Sequence, residues 1–390
     1  MKWLGPTWVT VDLDALQHNL NQVKKHSSAP ICAVVKGDAY GHGIRRVSQL
    51  FASQVNYLAV NDLTEALEIR TVNNQIPILV LCPPLPQQLK AFALHNLTVT
   101  INSQNLVEAL AKQSRQMQKI IKVHLKIDTG MNRLGISPNE AIDFVNLIKR
   151  QPFLKLEGIY THFAAANNNL AYTRKQLIKF KQLQQAISEK GHSNLIWHCA
   201  NSAALINLPE THLDLVRVGT LLYGQSTTKL PDSWNLQPTW NLFSRIIQVK
   251  KIAKGESIGY GLTYTLKRHS VIGVIPIGYS DGLGVDVKKH HLIHRLLEKP
   301  INVLIHDQEY PVIGKIAMGM CCIDLTDHPK ALDLYGTAVC IPTKRVLINQ
   351  RLPKVYFQNK KVSCVYFQNH LWEAVEKNGQ LYLKDNLNGR

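Results

Sequence analysis

Hydrophobic and polar positions along the first part of the chain repeat as short apolar runs separated by longer amphipathic stretches. Short apolar runs bounded by turn residues are typical of buried strands, and apolar residues three or four positions apart are typical of helices. The predicted strands are Pro30–Val35, Tyr57–Val60, Ile78–Cys82, Leu97–Ile101, Ile121–Ile127, Leu156–Phe163, Leu195–Cys199 and Leu213–Val218. The predicted helices between them include Leu13–Lys25, Asp62–Thr71, Ser103–Gln116, Asn139–Arg150 and Tyr172–Lys190.

This alternation of strands and helices predicts a parallel sheet. Roughly eight strand–helix units in just over 200 residues are typical of a closed (β/α)8 barrel, whereas a doubly wound sheet usually has fewer. No GxGxxG segment opens the series, which also favours the barrel.

After Pro238 the pattern changes to alternation with a period of two, which is typical of antiparallel strands. The predicted strands are Arg245–Lys251, Val271–Ile277, Ile301–His306, Tyr310–Ile316, Cys321–Leu325 and Ala338–Ile341. Near the end, residues 355–359 and 365–369 both read VYFQN, which predicts a β-hairpin. We therefore expect an α/β protein with an N-terminal TIM-type barrel over residues 1–236 and a C-terminal mostly-β domain over residues 237–390.

The composition is that of a globular protein, with 45% hydrophobic and 18% charged residues. No apolar run has membrane-spanning length, and the start of the chain lacks the apolar core of a secretion signal. The seven cysteines are odd in number and lie mostly in apolar runs, which favours reduced core thiols over a disulfide framework. We therefore expect a cytoplasmic protein without a membrane segment.

The net charge of +18 raises the question of a nucleic-acid partner. The basic residues are scattered, however, and no nucleic-acid-binding motif accompanies them, so we expect a surface that attracts small anions instead. The densest basic cluster contains Lys288, Lys289, His290, His291, His294 and Arg295. Its histidines lack a carboxylate or cysteine partner, which favours a solvated helix face over a metal site.

Chemically capable residues stand at the carboxyl ends of the predicted barrel strands, where barrel enzymes place their catalytic groups. They are Lys36 after the first strand, the segment 128–135 after the fifth, His162 in the sixth, the segment 198–202 after the seventh, and Arg217, Gly219 and Thr220 at the close of the eighth. Desolvation at the end of a buried strand lowers the pKa of a lysine, which suits nucleophilic attack on a carbonyl.

The last two strands also supply groups for a phosphate. Ser202 offers a hydroxyl, and the amides of Gly219 and Thr220 can approach an oxyanion closely. A phosphate site beside a lysine, an arginine and a histidine suits pyridoxal phosphate, with Lys36 holding the cofactor covalently. Each residue taken singly is more often structural, and only their shared position at one barrel mouth favours a catalytic site.

Seven segments, in order along the chain, resemble the alanine racemase family: AVVKGDAYGHG, LKIDTGMNRLGI, YTHFAAAN, HCANSAA, VRVGTLLYG, SIGYGLTYT and IPIGYSDGL. The resemblance covers most of the chain. It implies a pyridoxal phosphate-dependent isomerase, with a barrel and a C-terminal β domain, that interconverts L-alanine and D-alanine for peptidoglycan synthesis.

The resemblance implies that Lys36 acts as the base on one face of the substrate α-carbon and Tyr260 as the base on the opposite face. Inversion at carbon needs a proton taken from one side and another delivered to the other, which two fixed bases achieve. A tyrosine needs positive neighbours to act as a base near neutral pH, and a network of His162 and Arg217 is the candidate. Arg217 would also face the pyridine nitrogen and, being always protonated, leave that nitrogen without a proton.

The cofactor-binding residues that the resemblance implies are Lys36, Tyr40, His162, Asn201, Ser202, Arg217, Gly219 and Thr220. For the substrate, Arg133 would bind the carboxylate with help from the backbone amide of Met318, and Tyr279 would narrow the entrance. Lys126 matches a position that carries a carbamate in many family members. In this family the β-domain tyrosine reaches the other subunit's barrel, which implies a head-to-tail homodimer with composite active sites.

Three features depart from the family pattern. The usual Met-Asp pair reads Met318-Gly319 here, an extra basic stretch covers residues 287–299, and Gln350 stands near the place of a phosphate-binding tyrosine. They leave open a racemase of serine or of a basic amino acid. A related decarboxylase is less favoured because the β domain has no Cys-Glu-Ser-type segment. A non-catalytic pyridoxal phosphate carrier is less favoured because such carriers resemble the barrel alone.

Overall fold

The computed structural model describes residues 5–284, 301–342, 351–367, 370–377 and 380–385. The basic stretch 287–299 and Gln350 lie outside the described residues. The chain divides into two units: Ala15–Thr239 form one, and Met1–Asp14 together with Trp240–Arg390 form the other. The domain bounds expected from the sequence, 1–236 and 237–390, stay a prediction, and strand β1 (Thr7–Asp12) belongs to the second unit.

The first unit is built on eight parallel strands, as the alternating pattern predicts. They are β2 Ile31–Val34, β3 Tyr57–Val60, β4 Ile78–Val80, β5 Leu97–Ile101, β6 Ile121–Lys126, β7 Leu154–Tyr160, β8 Ile196–His198 and β9 Val216–Val218. Each of β2 to β8 pairs with its neighbour along the chain, and β9 returns to pair with β2. Backbone hydrogen bonds from Asp214 to Trp197 and from Arg217 to Ala200 bridge the seam between β8 and β9. The (β/α)8 prediction is confirmed.

Helices follow the strands and cover the outside of this sheet. They are α1 Leu13–His26, α2 Ile44–Ala52, α3 Leu63–Arg70, α4 Leu89–Leu94, α5 Gln104–Met117, α6 Ala141–Lys149, α7 Leu170–Glu189 and α8 Ser202–Asn207. Helix α3 begins at a well-formed cap, since the Asp62 carboxylate accepts the amides of Thr64 and Glu65 at 3.0 and 3.2 Å. This cap fixes the first turn of α3 beside the carboxyl end of β3. Within the described residues, no helix is long and apolar enough to cross a membrane.

The second unit consists mainly of strands, which confirms the predicted mostly-β domain. After β1 they are β10 Trp240–Arg245, β11 Gln248–Ile252, β12 Ser270–Ile275, β13 Asn302–Ile305, β14 Gln308–Ile313, β15 Cys321–Asp324, β16 Ala338–Ile341, β17 Lys354–Gln358, β18 Lys361–Phe367, β19 His370–Lys377 and β20 Gln380–Asp385. Strand β1 lies between β10 and β17, antiparallel to the first and parallel to the second.

One predicted strand of this unit is divided in the structure. Residues 245–251 read as one strand in the sequence, but β10 ends at Arg245 and β11 begins at Gln248. Strand β10 pairs with β16, whereas β11 pairs with β12. The break at Ile246 and Ile247 lets the chain change partners, and such a change leaves no trace in hydrophobic periodicity.

The VYFQN repeat forms a hairpin, as predicted. Strands β17 and β18 pair antiparallel, with Gln358 opposite Lys361. The two loop residues, Asn359 and Lys360, have φ angles of +51° and +59°. Positive φ at both loop positions is the turn geometry that matches the twist of the flanking strands.

Candidate active site

The segment after β2 is a turn of left-handed backbone conformation. From Gly37 to Tyr40, four successive residues have φ angles between +53° and +64°. Three of these residues carry a side chain, and each such residue costs about 1–2 kcal/mol in this region. A turn of this kind survives only when its surroundings hold it, and such strain is typical of functional sites. The turn begins at Lys36, the expected cofactor-binding lysine.

A cavity of about 450 Å³ opens at the carboxyl ends of the barrel strands. This volume lies in the range of small-molecule sites. The barrel residues that the family resemblance implied for cofactor and substrate all line it: Lys36, Tyr40, Lys126, Arg133, His162, Asn201, Ser202, Arg217, Gly219 and Thr220. The folded barrel therefore brings together residues that lie up to 184 positions apart along the chain.

One end of the cavity is formed by small residues and hydroxyl groups. The Gly219 amide donates to Ser202 Oγ at 3.1 Å. A Cβ atom at Gly219 would overlap the hydroxyl of Tyr40, so only glycine leaves room for that phenol. The Tyr40 ring stacks on Tyr223 with centroids 4.6 Å apart. Asn201 caps α8 by accepting the Ala204 amide at 3.0 Å. These contacts gather hydroxyl and amide groups around a single spot.

Arg217 lies buried in the inner wall of the cavity and is held through both Nη atoms. Nη1 donates to His198 Nδ1 at 2.9 Å and to the His198 carbonyl at 3.0 Å. Nη2 donates to the Thr161 and Cys199 carbonyls at 2.7 and 3.3 Å and to His162 Nδ1 at 3.3 Å. Among the described residues no acceptor meets Nε. That N–H is therefore the one available to a bound molecule.

A polar chain continues from His198 into the barrel interior. Because His198 Nδ1 accepts from the guanidinium, its proton lies on Nε2 and is donated to His124 Nδ1, 2.9 Å away. His124 Nε2 in turn faces Glu157 Oε2 at 3.9 Å. Glu157 accepts from the Tyr57 hydroxyl at 2.6 Å and pairs with Lys122 at 3.3 Å. The sequence analysis did not identify His124, Glu157 or Tyr57, whose only signal is a polar residue within an apolar strand.

Burial fixes the charge of the imidazoles beside this arginine. It lowers the pKa of His124 to about 4, and it lowers the pKa of His198 and His162 well below the usual value, with the Arg217 charge adding to the effect at these two. All three rings are therefore neutral near pH 7. The Arg217 guanidinium keeps its charge, because its pKa starts so high that burial does not bring it near neutral pH.

Tyr160 lies beneath two cations of the cavity wall. Lys126 Nζ stands 4.9 Å from the centre of its ring and Arg217 Cζ stands 5.0 Å from it. Burial, followed by the charges of Arg217 and Arg133, lowers the pKa of Lys126 to about 8. A large share of Lys126 is thus neutral in mildly alkaline solution. The sequence analysis did not identify Tyr160 either.

The loop that carries Arg133 is held by one carboxylate. Asp128 Oδ1 accepts the amides of Gly130, Met131 and Asn132 at 2.9 to 3.1 Å, and Oδ2 accepts the Arg133 amide at 3.2 Å. Burial raises the pKa of Asp128, but the four amide hydrogen bonds outweigh it and leave that pKa below its usual value. The ionised carboxylate thus fixes the backbone at Arg133.

The remaining predicted site residues, Tyr260, Tyr279 and Met318, lie on the surface of the second unit. Their exposed fractions are 70%, 47% and 62%. Tyr279 and Met318 are neighbours, because the amides of Tyr279 and Ser280 donate to the carbonyls of Ala317 and Met318 at 3.1 and 2.9 Å. Contiguous exposed apolar surface marks candidate interaction sites, whereas isolated exposed apolar side chains are ordinary.

Comparison with known proteins agrees with this architecture. The family models "Alanine racemase, N-terminal domain" and "Alanine racemase, C-terminal domain" match residues 11–227 and 239–351. An alanine racemase of Desulfovibrio desulfuricans is 35% identical over 331 residues, which cover 84% of this chain and 86% of the relative. Alanine racemase 1 of Caldanaerobacter subterraneus subsp. tengcongensis is 37% identical and covers 92% of this chain and 97% of its own.

Solved structures give the same result. The alanine racemase of Clostridium difficile 630 superposes with a TM-score of 0.84 at 30% identity, and that of Bacillus anthracis with bound L-Ala-P superposes with a TM-score of 0.82 at 29% identity. Both alignments cover 93% of this chain and 98% of the other. The chain belongs to the alanine racemase family.

Proposed function

We propose that the protein is a pyridoxal phosphate-dependent racemase that interconverts L-alanine and D-alanine. The observation that carries this proposal is the single barrel cavity that collects Lys36, Arg217 and the group around Gly219. Family membership supports the same reaction. No feature of the cavity favours serine, a basic amino acid or decarboxylation over alanine racemisation.

The cavity residues fit pyridoxal phosphate. The glycine at 219 leaves space beside the Tyr40 hydroxyl and Ser202 Oγ, where a phosphate oxygen would find hydroxyl and amide donors. Arg217 Nε has no protein acceptor among the described residues and would donate to the ring nitrogen. Asn201 and Thr220 complete this lining. When bound, the cofactor supplies an electron-accepting ring that stabilises negative charge at the substrate α-carbon.

Lys36 and Tyr260 are proposed as the two proton-transferring residues. Lys36 would hold the cofactor and exchange a proton at the α-carbon through Nζ, and Tyr260 would do so through its hydroxyl on the opposite face. Each residue would exchange protons at one face of the α-carbon only. The pair together would therefore convert either enantiomer into the other.

Arg217 also controls the electronics of the proposed reaction. Burial lowers its pKa, yet a guanidinium starts so high that it stays protonated at neutral pH. Its Nε–H would keep the ring nitrogen from taking a proton. Arg217 would thereby weaken the electron withdrawal that the cofactor supplies and limit side reactions such as transamination.

Other residues would position the substrate. Arg133 would bind its carboxylate together with the Met318 amide, and Tyr279 would narrow the entrance. Lys126, with its pKa lowered to about 8, has the neutral amine that reacts with carbon dioxide. A carbamate there would offer an anion to Arg133 and orient it.

We further propose a head-to-tail homodimer in the cytoplasm that supplies D-alanine for peptidoglycan. The exposed side chains of Tyr260, Leu262, Tyr279 and Met318 support an intermolecular contact at this face of the second unit. In such a dimer, Tyr260 of one chain would serve the barrel of the other, giving two composite sites.

The test is to incubate purified protein and pyridoxal phosphate with L-alanine, L-serine and L-lysine separately and to follow the products by chiral chromatography. We expect D-alanine to form fastest. Faster turnover of serine or lysine would assign that amino acid as the substrate instead of alanine. Release of carbon dioxide would indicate a decarboxylase. Cofactor binding without turnover of any substrate would indicate a carrier. Replacing Lys36 with Ala should abolish covalent attachment, measured as cofactor retained after borohydride reduction.

A further inference from the structure

The left-handed turn after Lys36 needs a partner that holds it. Gly37 tolerates its φ of +64° because it has no side chain, but Asp38, Ala39 and Tyr40 have φ angles of +53° to +54° without that freedom. The turn is nevertheless the segment that joins two residues of the cavity, Lys36 at its start and Tyr40 at its end.

Glu65 contacts this turn from outside it. Its Oε1 accepts the Gly37 amide at 2.5 Å and the Asp38 amide at 3.4 Å. Its Oε2 accepts the Asn61 amide at 2.7 Å, just after β3 ends. One carboxylate thus ties the end of β2 to the end of β3. The cap at Asp62 fixes Glu65 itself, because it anchors the first turn of α3.

The far side of the turn is held by the residues that follow it in the chain. Asp38 Oδ1 accepts the Ile44 amide at 2.8 Å, and the Asp38 carbonyl accepts the Gly43 amide at 2.9 Å. His42 Nδ1 lies 3.1 Å from the Ala39 carbonyl. These contacts close the turn internally but leave the amides of Gly37 and Asp38 to Glu65.

A shift of the turn would displace both ends of the cavity. Tyr40 leaves the turn to stack on Tyr223, and its hydroxyl reaches Gly219 so closely that a Cβ there would overlap it. Lys36 enters the cavity from the opposite end of the same turn. The relative position of the Lys36 and Tyr40 backbones is therefore set by the conformation of this turn.

We propose that Glu65 is a positioning residue, which holds residues 37–40 in the left-handed conformation and so sets Lys36 and Tyr40 for the cofactor. The second half of this statement rests on the proposed function. The role requires a carboxylate, since both oxygens accept from backbone amides. Glutamine has one acceptor oxygen, and its NH2 group would face an amide N–H at either Gly37 or Asn61. Glu65→Gln therefore breaks one of the two ties with little change in size.

The chain offers a matched control on the same helix. Glu68 lies one turn further along α3, and its carboxylate pairs with Arg45 at 3.1 Å. Glu68→Gln makes the same chemical change at a carboxylate on the same helix. Two measurements on E65Q, E68Q and the parent protein separate the two halves of the proposal. The first is hydrogen–deuterium exchange of residues 36–43 without cofactor, and the second is the dissociation constant for pyridoxal phosphate.

We expect faster exchange over residues 36–43 in E65Q alone, and an affinity for pyridoxal phosphate about tenfold weaker in E65Q, as for loss of a hydrogen bond to a charged group. E68Q should stay within about twofold of the parent. Equal exchange in E65Q and E68Q would overturn the positioning role. Faster exchange with unchanged affinity would overturn its link to the cofactor. If the parent protein itself fails to bind pyridoxal phosphate, the proposed function fails, while the exchange data still decide what holds the turn.

Discussion

Single residues in the barrel interior take their charge from burial. His124, His162 and His198 surround or follow a guanidinium that cannot give up its proton, and burial adds to the cost of a second charge. Because Arg217 donates to Nδ1 of His198, the proton of His198 lies on Nε2. Because His198 in turn donates to Nδ1 of His124, the proton of His124 also lies on Nε2. This chain of hydrogen bonds explains how the neutral imidazoles of His198 and His124 pack beside the Arg217 cation in an apolar barrel.

These histidines make stability depend on pH. Their pKa values in the folded protein, about 4 for His124 and well below the usual value for His162 and His198, lie under the unfolded value of 6.5. Between the folded and unfolded pKa values, the unfolded chain binds protons that the folded chain does not. The free energy of unfolding is therefore highest above pH 6.5 and decreases as the pH falls below 6.5. The slope approaches about 1.4 kcal/mol per pH unit for each histidine.

Urea unfolding at pH 7.5, 6.0 and 5.0 measures this slope. His124→Gln should reduce it by up to one histidine's share. An unfolding free energy that is constant from pH 7.5 to 5.0 would contradict neutral buried imidazoles.

Tyr260 is the residue on which the proposed two-sided proton transfer depends most. Tyr260→Phe should leave the cofactor bound and slow racemisation in both directions by about 10²–10⁴-fold, the usual share of a general acid–base group. Tyr264→Phe, in the same segment, is the control. Full activity of the Tyr260 variant in a chiral assay would remove it from the mechanism.

At the level of elements, a bulge in β7 makes room for the polar interior. The pairing of β6 with β7 shifts register between Val123 and His124, so that Glu157 is left over on β7. Gly158 then stands against the His124 ring. A Cβ there would lie 2.8 Å from both His124 Cε1 and the Ile196 carbonyl. Bulges of this kind are common near active sites, where they redirect a side chain.

Gly158→Ala tests this packing. The added methyl group has to displace either a ring or a backbone carbonyl, which should cost about 1–3 kcal/mol of unfolding free energy. Gly5→Ala is the control, because nothing lies within 4 Å of a Cβ at that position. Equal stability of the two variants by urea unfolding would show that the His124 ring is not confined as described.

Periodicity predicted the barrel strands well because they are mostly buried and because β2 to β8 each lie beside their neighbour along the chain. It could not predict β1, whose partners β10 and β17 lie more than 200 residues further along the chain. The break between Arg245 and Gln248 and the bulge at Glu157 arise from strand pairing, which a single sequence does not display. The cavity residues were found through strand ends and motifs. His124 and Glu65 were not, because their partners are backbone and buried groups.

At the scale of the whole molecule, the proposed site belongs to no single chain. The barrel carries Lys36, the proposed phosphate-binding residues and Arg217, while the second unit presents Tyr260 and Met318 on its surface. A homodimer would bring the two sets together and cover the exposed aromatic side chains. The central claim is therefore that Lys36 of one chain works with Tyr260 of another.

Complementation between two inactive variants tests this claim directly. Lys36→Ala and Tyr260→Phe chains are co-expressed with different tags, each also being assayed alone. If the sites are composite, a mixed dimer has one site with both residues intact, and random pairing should restore about a quarter of the wild-type activity. If each site is built from one chain, every site in the mixture lacks one residue. Activity no higher than that of the separate variants, in mixed dimers isolated through both tags, would contradict the account.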